Sequence, residues 1–156
     1  MVDLRTWLRC QSLPSGCPNM TPCDSDLFGN RELAVVGQTI TAITLDSNVV
    51  IYAGSGREHE FRIENSFVVA NGSRQELYTV RYEPYNRNIP IRENLTELSV
   101  VVTSTILGAR AYVSGVLELD LDNDLLIRVE PMERYEAWTY TFGTFILACP
   151  PGGFSD

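Results

Sequence analysis

From Thr39 onward the hydrophobic pattern of the chain is short and strand-like. β-Branched and aromatic residues gather in brief segments, Thr39 to Leu45, Asn48 to Tyr52, Glu60 to Ile63 and Phe67 to Ala70, parted by Asp46-Ser47 and Gly54-Ser55-Gly56. Runs of this length bounded by turn residues predict antiparallel hairpins. Gln75 to Tyr82 adds a strand with Tyr78, Val80 and Tyr82 on one face. A second cycle follows with Ala111 to Gly115, Val116 to Leu121, Leu125 to Val129 and Ala137 to Leu147. In it Leu117, Leu119 and Leu121 alternate with Glu118, Asp120 and Asp122, which sets the leucines toward a core and the carboxylates on the opposite sheet face. Ile127 and Val129 join the apolar side.

Between the cycles, Glu83 to Glu93 holds Pro84, Pro90 and two asparagines and reads as an irregular loop. Asn94 with Glu97 makes a capping pattern, and Leu95, Leu98, Val102 and Ile106 follow helical spacing until Gly108. This predicts a central helix, opposed only by the β-branched run Val100 to Thr103. The two cycles also echo one another. Gly37, two strands, a polar turn and Phe61-Arg62-Ile63-Glu64 reappear as Gly108, two strands, Asp122-Asn123-Asp124 and Ile127-Arg128-Val129-Glu130. The expected fold is therefore α+β and mainly antiparallel β: two duplicated β-meander units, about residues 33–82 and 95–148, around one core with a central helix. Residues 1–30 lack periodicity and form a cysteine-containing N-terminal arm with a short helix from Asp3 to Arg9, leaving 31–156 as a single β-rich domain.

Composition narrows the class of partner. The 156 residues suit one domain, and 44% apolar with 21% charged residues is ordinary globular usage. The net charge of −8 repels phosphate backbones and anionic lipid at long range, so neither nucleic acid nor membrane is expected and a basic protein is favoured. All 12 basic residues are Arg, a side chain suited to bidentate contacts. Neither a signal-like apolar run nor a membrane-length stretch is evident, so the expected compartment is the cytoplasm. The Asn-x-Ser/Thr sites at Asn19, Asn71 and Asn94 are then incidental.

Cys10, Cys17 and Cys23 lie in a Pro/Ser/Gly/Asn-rich stretch and Cys149 stands far away before Pro150-Pro151-Gly152-Gly153. These spacings do not offer zinc two close pairs. Reduced thiols are the default, with a tie between Cys149 and the arm as the alternative.

Phe61-Arg62-Ile63-Glu64-Asn65-Ser66-Phe67, the Tyr135-Glu136-Ala137-Trp138 segment and the Pro151-Gly152-Gly153 tail make the chain resemble a family of small, uncharacterised bacterial β-rich proteins over about residues 33–154. In size and acidity such proteins are similar to the immunity proteins that neutralise toxins. The turn Asp122-Asn123-Asp124 lacks the Asp-Gly of that pattern, and the cysteine-containing arm is additional.

Candidate chemistry is sparse. His59 is the one histidine, and its neighbours Glu58 and Glu60 point to the opposite strand face, so they cannot orient its ring. Gly54-Ser55-Gly56 is too short for a nucleophile elbow and lacks the Lys of a phosphate loop. Asp120, Asp122 and Asp124 resemble the start of a calcium loop, yet Leu125 stands where that loop needs Gly and Pro131 where it needs Glu. No catalytic residue, metal site or cofactor is expected. The candidate partner-binding residues are Tyr85 and Arg87 in the central loop, the carboxylates Glu118, Asp120 and Asp122, and Trp138 from the stripe Trp138, Tyr140 and Phe142. The reading is a non-enzymatic binding protein of immunity or inhibitor type acting on a basic macromolecule. Its alternative is a structural subunit of a larger assembly, such as a particle or virion component, that clasps neighbours with its arm and tail; homo-oligomerisation stays open.

Overall fold

The computed structural model describes residues 30–45, 48–81, 96 and 98–154. The eleven strands in these residues are β1 (Arg31–Glu32), β2 (Ile40–Leu45), β3 (Val49–Ala53), β4 (His59–Ile63), β5 (Phe67–Asn71), β6 (Glu76–Val80), β7 (Ile106–Ala111), β8 (Leu117–Leu121), β9 (Leu125–Val129), β10 (Trp138–Phe142) and β11 (Phe145–Ala148). They form a six-stranded sheet in the order β1-β7-β8-β9-β5-β6 and a five-stranded sheet in the order β11-β10-β4-β3-β2, with every pairing antiparallel. The inner faces of both sheets meet in one buried cluster. Leu117, Leu119, Leu121, Ile127 and Val129 lie in it, as their alternation predicts.

Of the predicted central helix, Asn94, Leu95 and Glu97 lie outside the described residues, and the described part does not run on as a helix to Gly108. The chain is helical at Thr96 and Leu98, makes one 3-10 turn over Ser99–Val101, and is extended at Val102. Thr103 takes a positive φ of 76° and Ile106 opens β7. Apolar spacing of three to four residues imitated a helix, but the β-branched run Val100 to Thr103 restricts the side-chain rotamers a helix allows; it makes a turn, and the strand starts only at Ile106. Gly108, read as a stop, instead sits inside β7 opposite Asp120. A Cβ there would lie 2.7 Å from the Asp120 Oδ2 atom, so the missing side chain makes room for that carboxylate. The predicted strand over Ala111 to Gly115 is correspondingly early turn: Tyr112 and Gly115 close a loop through Gly115 N–H to Tyr112 O, 2.8 Å. Ala137 to Leu147, read as one strand, is the β10–β11 hairpin turning at Gly143 and Thr144.

Two self-contained meander units do not form either. Meander β2-β3-β4 pairs its last strand with β10, from the hairpin of the second half, and meander β7-β8-β9 pairs its last strand with β5, from the hairpin of the first. Each sheet thus draws on both halves. The meander starts are stitched together by the Thr39↔Thr105 bridge and by Ile40 N–H to Ser104 O, 2.8 Å.

The Tyr-Glu-Ala-Trp and Pro-Gly-Gly segments close one end of this body. Trp138 is fully buried and its indole N–H donates to Gly115 O at 2.8 Å. Phe154 N–H donates to Val113 O at 2.9 Å, tying down the tail. Gly115 has φ 88°, and a Cβ there would stand 2.6 Å from the Gly153 Cα, so both the backbone angle and the space require glycine.

Candidate functional site

The register of the six-stranded sheet lines up its outward residues in rows. One row runs Glu32, Arg110, Glu118, Arg128, Val68, Thr79 across β1, β7, β8, β9, β5 and β6. Opposite charges face one another in three pairs across four strands, an arrangement that stabilises neighbouring strands. Its centre is unusual. The Glu118 side chain has no exposed surface although it points away from the apolar core. Arg74, from the β5–β6 turn, reaches across and grips it with two bonds, Nη1 to Oε1 at 2.7 Å and Nη2 to Oε2 at 3.1 Å. Arg128 Nη1 donates to Oε1 at 2.5 Å and the Tyr112 hydroxyl donates to Oε2 at 2.8 Å. Burial alone would raise the carboxyl pKa, but the hydrogen bonds from Arg74, Tyr112 and Arg128 outweigh it and hold Glu118 below the ordinary carboxylate value. Glu118 is therefore a fixed anion at neutral pH.

Arg74 sits in the left-handed region, φ 66°, in a turn where Arg74 N–H donates to Asn71 O at 2.8 Å. Glycine would fit that backbone better. What an arginine adds there is its guanidinium, whose grip on Glu118 pins the β5–β6 hairpin over the sheet.

Beside this network lies a concavity of about 300 Å³. Val68, Ala70 and Leu126 make its floor, and Arg74, Arg128, Glu76 and Glu130 its rim. It is a trench because β5 presents only small outward side chains, Val68 and Ala70, between larger ones on β9 and β6. Glu130 accepts a bond from Arg128 Nε at 2.6 Å and Glu76 accepts one from the Thr79 hydroxyl. At the turn end stands the exposed Asp122-Asn123-Asp124 loop, with Asp124 against Gly72.

The residues singled out from the sequence fall into four groups. Tyr85 and Arg87 lie outside the described residues, as do the residue 1–30 arm apart from Asn30, and Cys10, Cys17 and Cys23. Asp122 is exposed. Asp120 is partly exposed and paired with Arg110 at 3.2 Å. Glu118 and Trp138 present no surface, the one sealed beneath two arginines and the other packed in the core, so neither can touch a partner in this fold. Alternation placed Glu118 on the outer face correctly, but could not show that Arg74, 44 positions earlier in the chain, would cover it. Arg74, Tyr112, Arg128, Glu76 and Glu130 were not singled out. The signal for Arg128 and Glu130 was present in the alternation of Ile127-Arg128-Val129-Glu130 beside the leucine strand.

The span that folds in this way is also the span that matches a family. A model described as a family of unknown function (DUF6188) covers residues 31–154. The chain belongs to the DUF6188 family. The match opens on the first residue of β1 and ends on Phe154, whose N–H fastens the tail, so the DUF6188 span coincides with the two-sheet body. No curated protein and no solved structure matches the chain.

Elsewhere in the DUF6188 body, His59 is 4% exposed, its Nδ1 lies 2.8 Å from the Tyr140 hydroxyl, and its ring stacks on Phe142 with centroids 4.3 Å apart. Burial lowers the His59 pKa and raises that of Tyr140. The imidazole is thus a packed neutral group. Cys149 is a free buried thiol whose pKa burial pushes up to about 11. Among the described residues no group of three or more His, Cys, Asp or Glu gathers to hold a metal. No described helix is long and apolar enough to cross a membrane.

Proposed function

We propose that the protein is a non-catalytic binding protein of the immunity or inhibitor type, acting in the cytoplasm on a basic protein partner through the outer face of its six-stranded sheet. The observation that carries this reading is the Glu118 network. A carboxylate held by two arginines and a tyrosine stiffens a surface that would otherwise consist of mobile charged side chains. Stiff, charge-bearing surfaces lose little freedom on association, and complementary charge speeds encounter. Several exposed carboxylates around this face, Glu32, Glu76, Asp122 and Asp124, form no ion pair among the described residues, and they leave the face able to attract cations.

The test is site-specific photo-crosslinking in the cell of origin. A photoreactive residue at Thr79, on this face, should capture proteins of high isoelectric point, while one at Thr141, on the outer face of the five-stranded sheet, should capture little. Equal capture from both positions, or acidic products from Thr79, would remove the reading.

The matching strand orders, β2-β3-β4 followed by β10-β11 and β7-β8-β9 followed by β5-β6, support an ancestral internal duplication in which the two copies exchanged hairpins. This also makes sense of the echo between the two halves of the sequence.

A further inference from the structure

The trench has a definite charge order. Glu76 is level with Ala70 and Leu126 at the turn end. Arg128 stands beside Val68 in the middle. Glu130 lies two residues beyond Arg128 on the same face. Glu76 and Glu130 therefore sit at opposite ends and on opposite flanks of β5: four residues apart along it, about 13 Å at ~3.3 Å per residue, and two strand spacings apart across it, about 10 Å, a diagonal on the order of 16 Å. The guanidiniums between them are already engaged: Arg74 by both oxygens of Glu118, Arg128 by Glu118 and Glu130. The two end carboxylates keep capacity to spare. Glu76 has no ion pair among the described residues, and Glu130 uses one oxygen on Arg128. Counting the five charges of the network and rim, three carboxylates stand against two guanidiniums. The floor between the ends is apolar and shallow.

A small molecule in so open a trench would leave much of its surface in water, whereas buried sites cover most of a ligand. An extended peptide does not have this difficulty, because only alternate side chains need to enter. We propose, resting on the reading of a basic protein partner, that the trench docks an extended segment of that partner carrying Arg or Lys at positions i and i+4 and a small apolar residue at i+2. The two cations meet Glu76 and Glu130, and the central residue lies on Val68 and Ala70. An extended chain lying along β5 places i and i+4 on one side about 13 Å apart, the offset of the two carboxylates along the strand, and the long Arg or Lys side chains reach sideways to β6 and β9.

The probes are fluorescein-labelled peptides titrated into the full chain and read by anisotropy: Gly-Arg-Ser-Val-Ser-Arg-Gly, the same composition with the arginines at i and i+2, and a version with both arginines replaced by Glu. The i, i+4 peptide should bind at least tenfold more tightly than the i, i+2 peptide, and Glu76→Gln and Glu130→Gln should each remove most of that advantage. Both residues are exposed, so the variants fold, which circular dichroism checks. Equal binding of the two arginine peptides would overturn the docking register while leaving the basic-partner reading in place. Preference for the Glu peptide would overturn both. Failure of all three peptides to bind at millimolar concentration would overturn the trench as a peptide groove, with the crosslinking from Thr79 then deciding the broader reading separately.

Discussion

Removing Arg74 while leaving Glu118 in place asks the most of the structure. Arg74 makes two charge-assisted bonds to Glu118, but its own side chain is 57% exposed, so solvent screens the pair and the full penalty of breaking a buried ion pair, about 3–5 kcal/mol, does not apply. Glu118 has no exposed side-chain surface and keeps Arg128 and Tyr112 when Arg74 goes. Arg74→Ala should therefore destabilise by about 1–2 kcal/mol, between the values for exposed and buried pairs. Glu118→Gln leaves one amide N–H₂ facing donors and should cost about 2 kcal/mol. Because the two residues share one interaction, the double variant should fall short of the sum by about 1 kcal/mol. Arg74→Gly separates backbone from side chain: it loses the same guanidinium but relieves a left-handed residue, φ 66°, worth about 1 kcal/mol, so it should be milder than the alanine variant. Urea unfolding at pH 7 measures all four. An additive cycle, within about 0.3 kcal/mol, would refute the claim that Arg74 and Glu118 act as one unit.

The same carboxylate gives a pH signature. Its folded pKa lies below the ordinary value of 4.5, so its stabilisation is present above that value and lost as pH falls through the folded pKa; Glu118→Gln should flatten that part of the acid limb in unfolding curves. His59 is also depressed, from 6.5, by burial, so the unfolded chain takes up a proton first and stability should fall as pH drops below 6.5, levelling off below the folded pKa; His59→Gln should remove that slope. Gly115→Ala should destabilise by more than about 2 kcal/mol in thermal unfolding, since its φ of 88° and the Gly153 Cα at 2.6 Å both oppose a side chain. Brief iodoacetamide treatment of the native chain at pH 8, followed by peptide mapping, should leave Cys149 unmodified, because its thiol is buried with a pKa near 11; rapid native labelling would contradict its packing.

Much of the strand framework was legible in the sequence. β2 to β6, β8 and β9 announce themselves as short apolar or alternating segments, several bounded by Gly, Asn or Asp, because a half-buried strand has to write its two faces into its residues. β7 was hidden, since its first residues complete a helical spacing that only the β-branched Val100 to Thr103 contradicts. The β10–β11 turn was hidden as well, because Gly143-Thr144 is too slight to divide an apolar run. Strand pairing across the halves could not be read at all: alternation fixes which face a residue takes but not which strand lies beside it. The candidate site was lost for the same reason. Glu118 and Arg128 become neighbours through hairpin register, whereas Arg74 reaches Glu118 only because β5 docks on β9.

The exchange of hairpins shapes how this chain must be made. When the ribosome has released β2 to β6, the open edge of β4 has no partner, and it waits for β10, which follows after a delay on the order of seconds at ordinary synthesis rates. Throughout that interval β5 and β6 form a hairpin with no sheet to join. A neighbouring nascent chain that has reached its own β10–β11 hairpin offers β4 the same strand in the same register. On a crowded polysome the chain's native topology is therefore also a recipe for interlocked pairs, in which two copies trade hairpins and every strand keeps its native neighbours.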